Sequence, residues 1–566
     1  MRRRDEPAMV EAGDGADLVG GAVGAVTAAV RSGRVGAVVA ARVVAVVDAD
    51  HGRLELRAAQ LLAACAGWLG GRFDQVTAFG GAARGQVAVL AQADGGGTAL
   101  VAAGARGLGE PMLGIAAWGS RGALSFQERG PAGDRVGSSP GAAPLAALIA
   151  ESLRSGRTVH MVGGRAEVRP PIGLAAGVAV PAPPASPPAG RPIRALSPPY
   201  GVLLVAGDGT HQDYFGPSFA ADPRCRVVGL ADEATIAPRR REQNEALARR
   251  MGIPVLPDLD EALRRPDVQV VSNAAEPSRA GPISERAARA GKHLYLENLI
   301  AGTAEGACRV AAAVRSAGVV GQCWGIANAT LADRMRAAIR GGILGDLAAV
   351  HQDYIFARAA TYPFGGGAGG PAELGRPRVE SATPRFDWLD GARREFASVG
   401  SYALVRLLSL VGRRARRVRA TTGNYIYGHH QAADVEDFGQ LLLEFDGGLV
   451  ATLSAGLVGA AWHPSGDFDV ATLVGTRAPL VVDESRPRVE VWAGDGFDRP
   501  GLPATSWHFP ATGRANDDIG RFLGAIAAGR DAEGPASRAA EVLEILVAAY
   551  RSAATGEVVD LPPPTS

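Results

Sequence analysis

The chain has 566 residues, 47% of them hydrophobic, and a formal net charge of +1 at pH 7. This length exceeds what one hydrophobic core usually holds, so the sequence predicts two or three domains. A net charge so close to zero gives no basic field for nucleic acid, which argues against a nucleic-acid partner.

The cysteines and the apolar runs indicate the compartment. Four cysteines are scattered along the chain, without metal-ligand spacing and without the density of a disulfide framework. No stretch approaches the ~20 uninterrupted apolar residues that a membrane helix needs. We therefore expect a cytoplasmic protein with buried thiols, no membrane association and no bound metal.

Residues 1–167 contain landmarks that recur in the same order near the C-terminus. Five segments match: 30–36 with 339–345, 61–70 with 403–412, 94–96 with 446–448, 118–124 with 474–480, and 146–161 with 546–561. Composition bias alone would rarely preserve such an order. We predict that residues 1–167 form a degenerate copy of the C-terminal sheet domain without an active site, because Gln60 stands where that domain has Tyr402.

A proline-rich stretch separates this copy from the rest of the chain. Residues 168–199 carry too many prolines for a helix or a central strand, so they predict an extended linker. After the linker, the continuous apolar run GVLLVA (201–206) is typical of a strand that is buried on both faces. Similar runs then alternate with helical segments at 225–231, 268–272 and 293–296. Residues 200–325 therefore predict a Rossmann-type domain with a ligand crevice at the carboxyl ends of its strands.

The pattern changes in residues 326–562 to longer strands joined by hairpins, with a turn signal at Asp446-Gly447-Gly448. The predicted fold class is α/β. A Rossmann-type parallel-sheet domain is followed by an α+β domain with a large, open-faced, mostly antiparallel sheet, and that second domain is duplicated at the N-terminus.

The turn after the first strand of the Rossmann domain reads GDGTHQ. Gly207 and Gly209 fill two positions of a dinucleotide-binding fingerprint, whereas Gln212 stands at the third. Asp232 follows the second strand, where a carboxylate accepts hydrogen bonds from a ribose diol and repels a 2′-phosphate. These residues favour NAD over NADP, and the neighbouring arginines 239–241 are interpreted as an exposed helix face.

Three motifs resemble the Gfo/Idh/MocA oxidoreductase family: AGKHLYLE (290–297), GILG (342–345) and AAYRS (548–552). The resemblance covers residues 200–562, nearly the whole second part of the chain. It implies an NAD(P)-dependent enzyme that transfers hydride at a secondary alcohol or ketone of a sugar-like or cyclic polyol. It also implies that Glu297 contacts the cofactor.

The chain lacks the lysine of the family's E-K-P signature, to which the resemblance assigns a catalytic role. The E-K-P signature reads Glu297-Asn298-Leu299 here, and the only lysine of the chain, Lys292, is interpreted as a solvent-exposed turn residue. Asn298 can donate a hydrogen bond to the reacting group, but its side chain cannot shuttle a proton.

The second catalytic element implied by the resemblance is a helix that carries a histidine in many members. Here the helix reads SVGSYALVR (398–406), with Tyr402 at the histidine position, as in relatives resembling glucose–fructose oxidoreductase. A phenol, with a usual pKa of about 10, needs a nearby cation to act as a base at neutral pH. Arg406 and the nicotinamide ring are the two candidates for that cation, and the alternative is that Tyr402 is a packed aromatic.

The loop 423–439 is rich in polar groups. Asn424, His429 and His430 predict a hydrogen-bonding rim for the substrate, which His463 joins from the next long loop. Neighbouring residues of a strand point to opposite faces, so a metal bound by both adjacent histidines is not expected.

Two alternatives to the oxidoreductase remain open at the sequence level. One is a non-catalytic nucleotide-binding or interaction protein that has lost the family lysine. The other is an NAD-assisted, redox-neutral lyase or glycosidase. The resemblance further implies dimerisation through open sheet faces, so we expect the N-terminal copy to cover that face as an intramolecular pseudo-dimer, with room for a higher oligomer.

Overall fold

The computed structural model describes residues 18–33, 35–47, 54–105, 112–119, 122–129, 141–169, 191–207, 211–323, 329–357, 386, 394–458, 467–483, 488–491, 506–508 and 514–561. They form an eight-stranded, a five-stranded and a nine-stranded sheet, each covered by helices. The predicted fold class, a parallel Rossmann-type sheet beside large and mostly antiparallel sheets, is confirmed.

The N-terminal domain is built on the eight-stranded sheet. Its elements are α1 (Leu18–Arg31), β1 (Val38–Val47), α2 (Leu54–Leu69), β2 (Phe73–Gly81), β3 (Gln86–Ala93), β4 (Thr98–Ala105), β5 (Met112–Gly119), β6 (Gly122–Arg129), α3 (Ala142–Ser155), β7 (Val159–Val162) and β8 (Arg165–Val168). The strand order is β6, β5, β1, β4, β3, β2, β7, β8. In β1, Ala41, Val43 and Ala45 share a core with α2, whereas Val44 and Val46 face the other way, as the two-residue period of a strand requires.

The Rossmann domain follows the linker. Its elements are β9 (Tyr200–Val205), α4 (Gln212–Ala221), β10 (Cys225–Leu230), α5 (Pro238–Met251), α6 (Leu259–Arg264), β11 (Val270–Asn273), α7 (Pro277–Arg289), β12 (His293–Leu296), α8 (Ala304–Ala317) and β13 (Gly321–Cys323). All its strand pairs are parallel, in the order β10, β9, β11, β12, β13. The order reverses between β9 and β11, which is where sheets of this class open a ligand crevice.

The C-terminal domain is built on the nine-stranded sheet. Its elements are α9 (Ala329–Arg340), β14 (Leu347–Ala357), α10 (Glu395–Val411), β15 (Ala415–Gly423), α11 (Gly428–Ala433), β16 (Phe438–Phe445), β17 (Val450–Val458), β18 (Asp467–Gly475), β19 (Pro479–Asp483), β20 (Arg488–Val491), β21 (Ser506–His508), α12 (Arg514–Ala528), α13 (Ala536–Thr555) and β22 (Val559–Asp560). The strand order is β21, β20, β19, β18, β14, β17, β16, β15, β22.

Seven consecutive strands of the two large sheets have the same arrangement. β14 pairs parallel with β17 and antiparallel with β18, as β1 pairs parallel with β4 and antiparallel with β5. The register of the antiparallel pairs also agrees. Trp118 of β5 lies opposite Ala40 of β1, and Val474 of β18 lies opposite Ala349 of β14. In both pairs the register shifts between this position and the preceding pair of β1 or β14. The duplication of the domain itself stays a prediction at this point.

Helix α12 ties the C-terminal domain to the Rossmann domain. The hydroxyl of Tyr295 in β12 donates a hydrogen bond of 2.7 Å to the Asp518 carboxylate, and burial raises the pKa of that carboxyl to about 7. The end of the predicted linker is also packed here, because the backbone N–H of Leu196 donates to the carbonyl of Ile526 at 3.3 Å. Helix α12 therefore contacts both the Rossmann sheet and the segment that leads into it.

Lys292 is structural, and its interpretation as a solvent-exposed turn residue is wrong. Its side chain is buried, and its ammonium donates to the carbonyls of Arg265 (3.0 Å) and Val268 (2.8 Å). Burial lowers its pKa. The ammonium therefore holds the turn before β12 to the loop before β11.

Two properties bear on the predicted compartment. All four cysteines lie in the described ranges and are free thiols. Within those same ranges, no helix combines the length and the apolar character that crossing a bilayer requires.

Candidate functional site

The carboxyl edge of the Rossmann sheet brings together residues that lie one to three positions after the ends of its strands. Gly207 follows β9, Asp232 follows β10, Glu276 follows β11 and Glu297 follows β12. Because parallel strands all end at one edge, these residues line a single crevice. Helix α4 starts at this edge and presents its first backbone N–H groups to the crevice, where an anionic group is favoured.

The carboxylate of Glu297 accepts several hydrogen bonds inside the crevice. One oxygen accepts from the backbone N–H of His211 (3.0 Å) and lies 2.8 Å from the His211 ring Nδ1, and the other accepts from the backbone N–H of Asn298 (3.0 Å). Burial opposes ionisation of Glu297, but the His211 ring and these N–H donors outweigh it and lower the pKa of the carboxyl. Glu297 is therefore a buried anion at neutral pH.

Tyr402 reaches the same carboxylate from the C-terminal domain. Its hydroxyl, on helix α10, donates to Glu297 Oε1 at 3.4 Å. The neighbouring Ser401 accepts a hydrogen bond from the side-chain amide of Asn298. The structure thus brings the two predicted catalytic residues, Asn298 and Tyr402, together around Glu297.

Arg406 is not available as the cation that Tyr402 would need. Its guanidinium forms two hydrogen bonds with the Asp469 carboxylate, at 2.8 and 2.5 Å, and lies 5.8 Å from the ring centroid of Tyr354. The positive charge of Arg406 is therefore compensated by Asp469. The partner of the Tyr402 hydroxyl is the Glu297 anion instead.

His211 is a residue of this site that the sequence reasoning missed. It precedes the first residue of α4, and its side chain is 45% exposed while its ring nitrogen contacts the buried Glu297. It therefore links a buried carboxylate to solvent. The available signal was its place inside the nucleotide-binding turn, directly before Gln212.

Asp232 lies in a buried cluster of charged residues. Its carboxylate accepts from Arg279 and from the amide of Asn244 (2.7 Å), and it lies 3.8 Å from Arg240. Arg240 also pairs with Glu276 and donates to the Ala206 carbonyl at 2.7 Å. Arg240 is buried, so the exposed-face interpretation of arginines 239–241 is wrong at this position. A ribose bound here has to share the Asp232 carboxylate with these donors.

The predicted substrate rim lies at the start of α10. His430 in α11 is buried, with its Nε2 3.8 Å from the carboxylate of Glu395. Glu395 precedes Tyr402 by two helical turns, about 10 Å along the axis. Asn424, just after β15, is also buried, and His429 is half-buried, which lowers its pKa.

Two details of that loop differ from expectation. The histidines belong to a short helix with ring centroids 4.3 Å apart, so the argument from the alternation of a strand is wrong. Asp437 accepts backbone N–H bonds from residues 425–427 and shapes the loop itself. His463 and Gly209 lie outside the described residues, and in the described part no group of three metal-ligating side chains occurs.

The sequence matches two domain models of one family. Residues 203–323 match the NAD-binding Rossmann fold of an oxidoreductase family, and residues 332–481 match the GFO/IDH/MocA C-terminal domain. The first match covers most of the parallel sheet, and the second runs from α9 into β19 of the nine-stranded sheet. No curated protein matches the chain.

Solved structures share the fold of the second part of the chain. A levoglucosan dehydrogenase in complex with NADH and levoglucosan is 20% identical, with a TM-score of 0.52, and covers 64% of this chain and 100% of its own. An oxidoreductase domain protein from Kribbella flavida is 17% identical, with a TM-score of 0.51 and coverages of 64% and 99%. A proposed NADPH-dependent oxidoreductase from Desulfitobacterium hafniense is 18% identical, with a TM-score of 0.51 and coverages of 65% and 99%.

The resemblance inferred from the sequence is therefore confirmed by both domain matches, and the shared fold agrees with it. Residues 203–323 and 332–481 therefore carry the NAD-binding Rossmann domain and the C-terminal domain of the Gfo/Idh/MocA oxidoreductase family.

Proposed function

We propose that the chain is a cytoplasmic dehydrogenase that uses NAD to transfer hydride at a secondary alcohol or ketone of a sugar-like or cyclic polyol. The observation that carries the proposal is the meeting of Tyr402, Glu297 and His211 at the crevice edge. The substrate class follows from relatives of the same fold, one of which is described in complex with NADH and levoglucosan.

The residues of the crevice fit a dinucleotide. The start of α4 suits the pyrophosphate, because the positive end of a helix dipole favours an anion. Asp232 suits the ribose, and Glu297 lies at the end of β12, beside the place that the family resemblance assigns to the nicotinamide. When bound, NAD supplies the hydride acceptor or donor.

In the proposed mechanism Tyr402 exchanges a proton with the substrate. During alcohol oxidation its phenolic oxygen accepts the hydroxyl proton while its own proton passes to Glu297, which it already contacts at 3.4 Å. Glu297 returns to its ionised form by passing the proton to His211 once that half-exposed ring has released its own proton to water. This route gives His211 the proton-shuttling role for which Asn298 is unsuited. Asn298, held by Ser401, positions the reacting oxygen.

Asp232 is proposed to set the preference for NAD over NADP. In Asp232→Ala we expect affinity for NAD to fall about tenfold and affinity for NADP to rise, because the variant loses both the acceptor for the ribose diol and the negative charge that repels a 2′-phosphate. Calorimetric titration of both nucleotides into wild type and variant measures this change. Arg226→Ala is the matched control, since its pair with Asp267 is exposed. An unchanged NAD/NADP ratio in Asp232→Ala would remove the assignment.

A non-catalytic nucleotide-binding protein is the second candidate. The specific observation in its favour is that the Asp232 carboxylate already has charged partners, together with the substitution of the family lysine by Asn298. Reduction of NAD⁺ distinguishes the two functions. A dehydrogenase reduces NAD⁺ in the presence of a suitable sugar or polyol, whereas a non-catalytic protein binds the nucleotide and leaves it oxidised.

A further inference from the structure

The N-terminal sheet covers one face of the C-terminal sheet. Trp118 packs on Phe438 with ring centroids 5.3 Å apart, and the hydroxyl of Thr98 donates to the side chain of Gln440 at 2.7 Å. The apolar residues of both facing sheets belong to one continuous core. Without this cover, the C-terminal sheet would expose a large apolar face, which soluble proteins avoid.

The two domains share a buried detail that strand order alone does not require. In the N-terminal domain the hydroxyl of Ser152, near the end of α3, donates to the Arg157 carbonyl (2.6 Å) and accepts from the backbone N–H of Ala78 (2.8 Å). In the C-terminal domain Ser552, near the end of α13, makes the same two bonds, to the Glu557 carbonyl (2.5 Å) and from Ala420 (3.0 Å). These paired bonds define which positions of the two domains are equivalent.

The contacts between the domains are reciprocal under this equivalence. Each last helix ends at a glycine in the left-handed region, Gly156 or Gly556, so position 157 corresponds to 557 and position 160 to 560. Arg157 pairs with Asp560 at 3.2 Å, and Glu557 lies 2.7 Å from His160. Residue i of one copy thus contacts residue j of the other, and residue j contacts residue i.

The same reciprocity recurs at the glycines. Arg417 donates to the carbonyl of Gly156 at 2.9 Å. The residue equivalent to Arg417 in register is Gln75, and its side chain lies against Gly556, 2.7 Å from where a Cβ would stand. Reciprocal contacts of this kind are the signature of an isologous interface between two copies of one fold.

We propose that residues 18–168 are a second copy of the C-terminal domain and occupy the docking surface that a second subunit would otherwise use. Their role is to complete the sheet interface inside one chain. The copy lacks the tyrosine of α10, since Gln60 lies ten residues before the glycine that follows α2, as Tyr402 lies ten residues before the glycine that follows α10. This proposal does not depend on the chemistry of the crevice.

The test is to cut the folded full-length chain between the domains. A specific protease site inserted within residues 170–190 allows cleavage after folding, and light scattering coupled to gel filtration then measures the mass of the products. We expect the two pieces to stay together in a 1:1 complex. Arg157→Ala and Glu557→Ala, which alter equivalent positions, should each raise the dissociation constant of the cut pieces about tenfold.

Arg154→Ala is the control, because Arg154 pairs only across an exposed helix turn with Glu151, and it should leave the complex intact. If a variant fails to fold, the cut wild-type chain alone still decides the question. Separation of the pieces, or pairing of the larger piece with a second larger piece, would overturn the proposal. A crevice that proves inactive would not affect it.

Discussion

Tyr402→Phe is expected to lower turnover about 10²- to 10⁴-fold while leaving affinity for NAD close to that of wild type. The phenol is the group proposed to exchange a proton with the substrate, so its loss removes general acid–base catalysis. It contacts the Glu297 carboxylate rather than the start of α4, so nucleotide binding should not depend on it. Steady-state kinetics and NAD titration on the same preparation separate the two quantities.

The matched control for this variant is Tyr354→Phe. Tyr354 lies beside Tyr402, with ring centroids 6.0 Å apart, and the change deletes the same atom from a neighbouring ring. It should keep most of the wild-type turnover. If both variants behave alike, or if Tyr402→Phe retains full activity, Tyr402 is a packing residue and the proposed proton route is wrong.

Arg42→Ala is expected to lower the free energy of unfolding by about 3–5 kcal/mol, because it leaves a buried carboxylate without its cation. Arg42 from the N-terminal sheet contacts Asp353 of the C-terminal sheet at 2.5 Å, with side-chain exposures of 6% and 0%. Burial already raises the pKa of Asp353 to about 6 in the folded protein. Denaturant unfolding followed by circular dichroism measures the loss.

The stability cost of Arg42→Ala should change with pH in a defined direction. Because the folded pKa of Asp353 lies above its usual value, stability from this group is present at low pH and is lost as pH rises through about 6. The cost of Arg42→Ala should therefore be larger at pH 8 than at pH 5. The double variant Arg42→Met/Asp353→Leu should recover much of the loss, since it removes both charges. A cost below 1 kcal/mol at pH 8 would mean that the ion pair does not hold the sheets together.

Much of the fold could be predicted from the sequence because local patterns determine it. The run HLYL at 293–296 is the strand β12, residue for residue, since a short, mostly apolar run that follows a helix and a glycine turn is typical of a buried parallel strand. Gly342 and Gly345 were also predicted to match Gly33 and Gly36. All four have φ values in the left-handed region, which favours glycine. The positions of these turns could therefore be predicted from the glycines in the sequence.

The site was only partly predictable because its contacts join distant segments. Glu297 and Tyr402 lie 105 positions apart in sequence and meet only when the two domains dock. The burial of Arg240 was not predicted for the same reason. Arg240 lies on α5, whereas its partner Glu276 follows β11. The helix that carries the loop histidines was not predicted, because a short polar stretch has no period long enough to reveal the six-residue α11.

Reduction of NAD⁺ by the purified full-length chain tests the central claim most directly. The chain is incubated with NAD⁺ and a panel of sugars, anhydrosugars and cyclic polyols, and absorbance is followed at the nicotinamide band, with Tyr402→Phe in parallel. The account predicts NADH formation with at least one member of the panel and its loss in the variant. Saturable NAD⁺ binding without reduction by any member, in wild type and variant alike, would contradict it and favour a non-catalytic protein.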